Sequence, residues 1–217
     1  MDIYHVLSRG VEKRNIFLDD KDRFRFVHNL FEFNDVNWST NSSYFFNQAI
    51  DIASRYKEKK RQPLVKIHAF CLMSNHYHLM LSPLVENGIP TFMRKINMGF
   101  AKYFNIKNDR KGTLFEGRYK SVPVRHHSHF LYLPYYIHLN PLDLCAPGWR
   151  ERTIKDHKKA FNFLQNYRWS SLLDYIGEKN FPSITSRGFL QEIFGKPEYH
   201  KKDLLEWLKE IDLSEMG

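Results

Sequence analysis

Two histidines separated by one residue, His76 and His78, lie in the short apolar segment HYHLMLSP (76–83). Residues two apart point to the same face of a β-strand, so both imidazoles should project from one side of a sheet. Two neighbouring imidazoles can bind one divalent cation through their nitrogens. Many such pairs are simply exposed polar positions, so the pair alone is weak evidence for a metal site.

A second reactive group comes from the segment YLPYYIHLNPL (132–142), which reads as a helix that ends before Pro141. Tyr136 and Asn140 are four residues apart and should share one helix face. If that face lies over the histidines, the helix brings a phenol and an amide oxygen to the cation. The alternatives are a core tyrosine and a helix-end asparagine. Pro134 should kink or restart the helix, and Tyr135 replaces Tyr136 as the candidate if the helix is broken there.

The elements that must position these groups follow from hydrophobic periodicity and from turn residues. Their order is β-α-(α)-β-β-α-β, which predicts an α+β fold with a ferredoxin-like four-stranded antiparallel sheet and helices on one face. Phe92, Ile96, Phe100 and Phe104 form a stripe that should enter the core. The predicted strands are 3–8, 64–73, 76–83 and 118–125, and the predicted helices are about 19–33, 41–63, 89–106 and 128–140.

The chain is predicted to divide into a catalytic domain over residues 1–145 and a helical C-terminal extension over 146–217. The catalytic domain would carry a helical insertion at about 37–62. The extension contains four helix-like segments that begin near residues 151, 170, 188 and 197. The tyrosine-bearing helix would lie near the histidine face of the sheet.

The composition indicates a polyanionic partner. The formal net charge is +9 over 217 residues and aromatic residues make up 16%, a combination that favours nucleic acid. The two cysteines form no disulfide or zinc pattern, and Cys71 is predicted to be a core residue. With neither a signal peptide nor a membrane span in the sequence, the expected location is the cytoplasm.

Basic side chains in predicted loops and at the sheet edge are candidates for contacts with DNA phosphates, and Phe115 and Tyr119 for stacking on bases. His126, His127 and His129 precede the tyrosine helix and are interpreted as surface or DNA-facing residues. The candidate phosphate-binding residues are Arg9, Arg14, Arg110, Lys111, Arg118 and Lys120.

Five segments in order resemble the HUH single-tyrosine transposases, and most nearly their REP-associated branch. They extend over most of residues 3–178, and together they are far more specific than any one of them. The segments are YHVLSRGVEKRNIFLDD, CLMSNHYHLMLSP, GTLFEGRYKSVPV, YIHLNPL and YRWSSLLDYIG.

The resemblance implies that His76, His78 and Asn140 bind a divalent cation, Mg²⁺ or Mn²⁺, and that Tyr136 is the nucleophile. It also implies cleavage and rejoining of single-stranded DNA near hairpins through a 5′-phosphotyrosine, by a monomer or a homodimer. Two alternatives stay open. One is a catalytically inactive or domesticated nucleic-acid-binding protein of the same fold, and the other is a metal-dependent hydrolase in which water attacks.

Overall fold

A four-stranded antiparallel sheet forms the centre of the protein. The computed structural model describes residues 1–37, 61–151 and 153–210. Most of the predicted helix at 41–63 and most of the predicted insertion at 37–62 therefore lie outside the described residues. The strands follow the order β2-β3-β1-β4 across the sheet, which is the ferredoxin-like arrangement predicted from the sequence. They are β1 (Tyr4–Arg9), β2 (Val65–Leu72), β3 (His76–Pro83) and β4 (Lys120–Pro123).

Seven helices are present in the described part of the chain, and together with the sheet they confirm the α+β class. Asp19 begins the first of them, since its side chain accepts a hydrogen bond from the backbone N–H of Asp22 at 3.0 Å. The helices are α1 (Asp20–Glu32), α2 (Gly88–Lys107), α3 (His127–Leu139), α4 (His157–Asn166), α5 (Leu172–Tyr175), α6 (Gly188–Phe194) and α7 (Pro197–Glu210).

Helices α1 and α2 cover one face of the sheet. Tyr77, Leu79 and Leu81 of β3 point into this layer and are fully buried there. The predicted stripe of α2 enters the same core, because Phe92, Ile96, Phe100 and Phe104 are all buried. The alternation along β3 therefore places the residues between these apolar side chains, including His76 and His78, on the opposite face.

Helix α3 and the C-terminal helices cover the opposite face. Leu133 and Ile137 of α3 pack with Ala69, Cys71 and Met80 of the sheet. The position of Cys71 in the core is as predicted. This second layer brings the tyrosine-bearing helix to the histidine face.

Pro134 neither interrupts nor restarts α3, which runs continuously from His127 to Leu139. The predicted restart is therefore wrong, whereas the predicted kink stays a prediction. A proline inside a helix costs about 3 kcal/mol because it removes one backbone hydrogen bond and crowds the preceding turn. Helix α3 is buried along most of its length, and tertiary packing of this kind can outweigh that cost.

The C-terminal extension packs directly on the sheet. Trp169 O accepts a hydrogen bond from Leu72 N at 2.8 Å, and Ser171 N donates to Phe70 O at 3.0 Å. These bonds cover part of the otherwise free edge of β2, which limits the exposed backbone at that edge. Trp169 and Phe181 also enter the core beneath α1.

No helix within the described residues is both long enough and apolar enough to cross a membrane.

Candidate active site

His76 and His78 project side by side from β3, with ring centroids 5.0 Å apart. His76 Nδ1 donates a hydrogen bond to Asn75 Oδ1 at 2.6 Å. His78 Nδ1 lies 2.9 Å from Nε2 of His5. Both Nδ1 atoms are thus engaged within the protein, and this leaves Nε2 of each ring as the atom that can meet a ligand.

Both rings are held in their neutral form. Burial, followed by the charge of Arg9, lowers the pKa of His76 to about 4. Burial also lowers the pKa of His78 well below its ordinary value, and the neighbouring His5 and His76 lower it further. Both rings are therefore neutral at neutral pH, which is the form of an imidazole that can bind a metal ion.

His5 is a site residue that sequence reasoning missed. It lies on β1, whose register pairs Leu7 with His78 and His5 with Met80. Its ring stacks on His78 with centroids 5.1 Å apart and meets the Tyr136 ring edge-on at 5.8 Å. The pairing register alone brings His5 to this position, and nothing in the sequence around residue 5 indicates it.

Helix α3 places Tyr136 against the histidines, with its ring centroid 5.7 Å from that of His78. Tyr132 and Tyr135 on the same helix are buried, whereas Tyr136 is partly exposed. The hydroxyl of Tyr135 points to α7, where it donates to Asp203 at 3.1 Å. Of the three tyrosines, Tyr136 is therefore the one that the structure brings to His78.

Asn140 is fully buried just after α3. Its Nδ2 donates to the backbone oxygen of Tyr136 at 2.7 Å, and its Oδ1 accepts from Arg150 at 3.1 Å. An amide oxygen has two lone pairs, so one remains for a further partner. In this arrangement Asn140 also secures the end of the helix that carries Tyr136.

These side chains share a cavity of about 580 Å³. Five basic and two acidic residues line it, so its charge favours an anionic ligand such as a phosphodiester. The lining residues are Leu7, Ser8, Arg9, Lys13, His76, His78, Glu116, Arg118, Lys120, Tyr136, Asn140, Asp143 and Arg150.

The structure brings only half of the predicted phosphate-binding residues to the cavity, namely Arg9, Arg118 and Lys120. Arg14 pairs with Glu12 at 3.5 Å instead. Arg110 donates to Asn105 Oδ1 at 2.9 Å and to Thr113 O at 2.7 Å, so it holds the loop after α2.

Three further predictions concern residues outside the cavity lining. Lys111 is exposed, and its phosphate contact stays a prediction. His126 and His127 are exposed as predicted, whereas His129 is half-buried. Phe115 is buried in the core, so its predicted role in stacking on bases is wrong. The sequence does not distinguish a loop residue that faces solvent from one that packs into the core, whether that residue is aromatic or basic.

The histidine pair is the part of the site that fits a divalent cation. Both Nε2 atoms are free of the hydrogen bonds that hold the rings, and partners that fix Nδ1 are usual around metal-bound histidines. Within the described residues, no group of three or more His, Cys, Asp and Glu side chains could hold a metal. A cation here would thus take two imidazoles, with Asn140 as the candidate third ligand, and keep open positions for other oxygens.

The resemblance to HUH single-tyrosine transposases implies a ferredoxin-like sheet whose two histidines face a tyrosine of a neighbouring helix. The structure has this arrangement. The family model described as "Transposase IS200 like" matches residues 39–140. The match contains the histidine strand and the tyrosine helix. The chain is therefore similar to this transposase family over these residues, and the resemblance seen in the sequence is confirmed.

Comparison with solved structures agrees on the fold. A REP-associated tyrosine transposase, solved bound to a REP hairpin, is similar with a TM-score of 0.50, and the match covers 85% of each chain at 12% identity. At this identity the similarity concerns the fold. No curated protein matches the sequence.

Proposed function

We propose that this protein cleaves and rejoins single-stranded DNA near hairpins through a 5′-phosphotyrosine on Tyr136. The observation that carries the proposal is the placement of Tyr136 against His78 within one chain, with ring centroids 5.7 Å apart in a basic cavity. The similarity to the transposase family model and the fold shared with a hairpin-bound transposase support the same conclusion.

The proposed cofactor is a divalent cation, Mg²⁺ or Mn²⁺, held by His76, His78 and Asn140. When bound, such a cation polarises a phosphate oxygen and neutralises charge during phosphoryl transfer. The chain itself supplies the nucleophile, the cations that attract the strand and the packing that fixes Tyr136.

The proposed cleavage step exchanges one phosphodiester for another. The Tyr136 oxygen forms a bond to phosphorus, and the bond from phosphorus to the 3′ oxygen breaks. The phenol proton passes to water, and the departing 3′ oxygen takes up a proton to become a free 3′-OH. Because the tyrosine ester retains the reactivity of the broken bond, a second 3′-OH can reverse the step without a nucleotide cofactor.

The single strand would be held by the basic lining of the cavity, with Arg9, Arg118 and Lys120 as the proposed phosphate contacts. Basic grooves bind the backbone of single strands independently of sequence. The proposed location of this reaction is the cytoplasm.

The test is to incubate the protein with Mn²⁺ or Mg²⁺ and single-stranded hairpin DNA from the flanks of its own gene. We expect a protein–DNA adduct that survives denaturation and that Tyr136→Phe abolishes. Tyr135→Phe is the matched control, because the Tyr135 hydroxyl contacts Asp203 rather than the cavity. That variant should still form the adduct.

The alternatives give different results in the same assay. Cleaved DNA without an adduct indicates a hydrolase in which water attacks, and binding without cleavage indicates a nucleic-acid-binding protein that lacks the activity. A double variant, His76→Ala with His78→Ala, should bind hairpin DNA but not cleave it. Loss of DNA binding together with cleavage would show that the histidines are structural.

A further inference from the structure

Arg150 is a cavity residue that belongs to none of the predicted site groups. It follows the short 3₁₀ turn Pro147–Trp149 and reaches back to the end of α3. Its guanidinium carbon lies 5.8 Å from the centre of the Tyr136 ring, and one of its nitrogens donates to Asn140 Oδ1 at 3.1 Å. Arg150 thus contacts both the proposed nucleophile and the asparagine that ends its helix.

The side chain of Arg150 is held in place before any ligand binds. It forms an ion pair with Asp143 and lies 4.3 Å from the centre of the Trp149 ring. Trp149 in turn donates its Nε1–H to the same oxygen of Asp143 at 2.6 Å. Asp143 therefore fixes both partners, and an arginine held in this way loses little further conformational freedom when it meets an anion.

Arg150 carries a positive charge that is paired with the carboxylate of Asp143. The planar fork of an arginine suits a phosphate better than the point charge of a lysine does. One face of the group meets Trp149, and the exposed third of the side chain is open to the cavity.

We propose that Arg150 is a catalytic residue of the strand transfer, where it stabilises the negative charge that develops on the Tyr136 oxygen and on the phosphoryl oxygens. This inference rests on the proposed function. In cleavage, charge passes from the attacking phenol oxygen through the phosphoryl group to the departing 3′ oxygen. In rejoining, the phenol oxygen is the leaving group, and the same guanidinium faces it. Arg150 keeps its protons in both directions.

Removal of Arg150 should therefore slow both directions by a similar factor. Loss of one preorganised donor to a developing charge commonly costs about 10²-fold in rate. We expect Arg150→Ala to lower the single-turnover rates of adduct formation and of adduct resolution by about 10²-fold at saturating DNA. Arg150→Lys should recover part of that loss, since it restores the charge without the fork.

Asp143→Asn tests how the arginine is held. This change preserves an acceptor for Trp149 but removes the charge that pairs with Arg150, so we expect a smaller loss of about tenfold. The matched control is Lys158→Ala, which removes one positive charge from an exposed position of α4 outside the cavity. It should leave both rates within about twofold of wild type.

Added guanidinium distinguishes a chemical role of Arg150 from a structural one. The ion should restore adduct formation by Arg150→Ala at least tenfold, whereas urea of similar shape but without charge should not. A wild-type rate in Arg150→Ala, or a slow rate that guanidinium does not raise, overturns the inference. If wild-type protein forms no adduct at all, the proposed function fails first and the inference falls with it.

Discussion

At the scale of single residues, the site depends on how each imidazole is oriented. For His78 Nε2 to bind a cation, its hydrogen must sit on Nδ1, and His5 Nε2 lies 2.9 Å from that atom, where it can accept the bond. His76 has the equivalent partner in Asn75. His5 is therefore a positioning residue that fixes the ring of His78 from a different strand.

The role of His5 predicts a change in cation affinity that can be measured without DNA. His5→Phe keeps an aromatic ring beside His78 but removes the acceptor, and partners of this kind are worth 10- to 100-fold in metal affinity. We expect Mn²⁺ to bind the variant about tenfold more weakly, as measured by electron paramagnetic resonance of free Mn²⁺. His5→Gln, which retains an acceptor, should lose less.

An exposed histidine supplies the control for this measurement. His126→Phe removes an imidazole that lies outside the cavity lining, and its Mn²⁺ affinity should equal that of wild type. An unchanged affinity in His5→Phe would contradict the positioning role, whatever the activity of the variant.

The sequence is informative about some of these residues and silent about others. The shared face of His76 and His78 could be predicted because the period of a strand is fixed at two. His5 and Arg150 could not be predicted, since they reach the cavity through strand register and through an irregular turn. Neither of those features leaves a periodic pattern in the sequence.

At the scale of elements, helix α3 is held between the sheet and α7. Tyr135 of α3 stacks on Trp207 with centroids 5.1 Å apart and donates to Asp203. His138 lies 2.8 Å from the Ser171 hydroxyl and 3.4 Å from His200. The helices and strands could be predicted from periodicity, but this packing of the C-terminal helices on α3 could not, because amphipathic faces do not specify their partners.

The buried His200 predicts that this packing weakens in mild acid. Burial lowers the pKa of His200 to about 4, from an ordinary value of 6.5. Between these values the unfolded chain binds the proton and the folded chain does not, so the free energy of unfolding falls as the pH drops from about 6.5 to 4. Below about 4 both states are protonated, and this contribution stays at its lowest value.

Replacement of His200 by phenylalanine isolates that contribution. The ring of His200 stacks on Tyr135 and also meets Tyr175 and Phe194, and phenylalanine keeps an aromatic ring there without a titrating group. Between pH 7.5 and pH 5, His200 should account for about 2 kcal/mol of the decrease in the wild-type free energy of unfolding. The decrease should be smaller by that amount in the variant. His68 and His138 are also buried with lowered pKa values, so a residual loss should remain.

The measurement is chemical denaturation at several pH values, followed by circular dichroism. His127→Gln, at an exposed position of α3, is the control and should show the wild-type dependence on pH. An equal slope in wild type and His200→Phe would mean that His200 accepts its proton without any opening of the α3–α7 contact.

At the scale of the whole molecule, most of the sheet topology could be predicted from the order of helices and strands along the chain. Two helices between paired strands predict the ferredoxin-like sheet, and the observed order β2-β3-β1-β4 agrees. What the order could not indicate is that the segment predicted to be an extension contributes to the core beneath α1, which Trp169 and Phe181 join. The net charge of +9 likewise indicated a polyanion but not where it binds.

We expect the polyanion to bind at the basic cavity, and the salt dependence of DNA binding can test this expectation. Each phosphate neutralised contributes about −0.7 for single strands, or −0.9 for duplex, to the slope of log affinity against log salt concentration. Arg118→Gln with Lys120→Gln removes two exposed cations of the cavity lining, so the slope for hairpin DNA should become shallower by about 1.5. Lys155→Gln with Lys158→Gln removes the same charge from exposed positions outside this cavity, and its slope should stay within about 0.3 of wild type. Equal slopes in the two double variants would show that net charge, rather than this cavity, attracts the DNA.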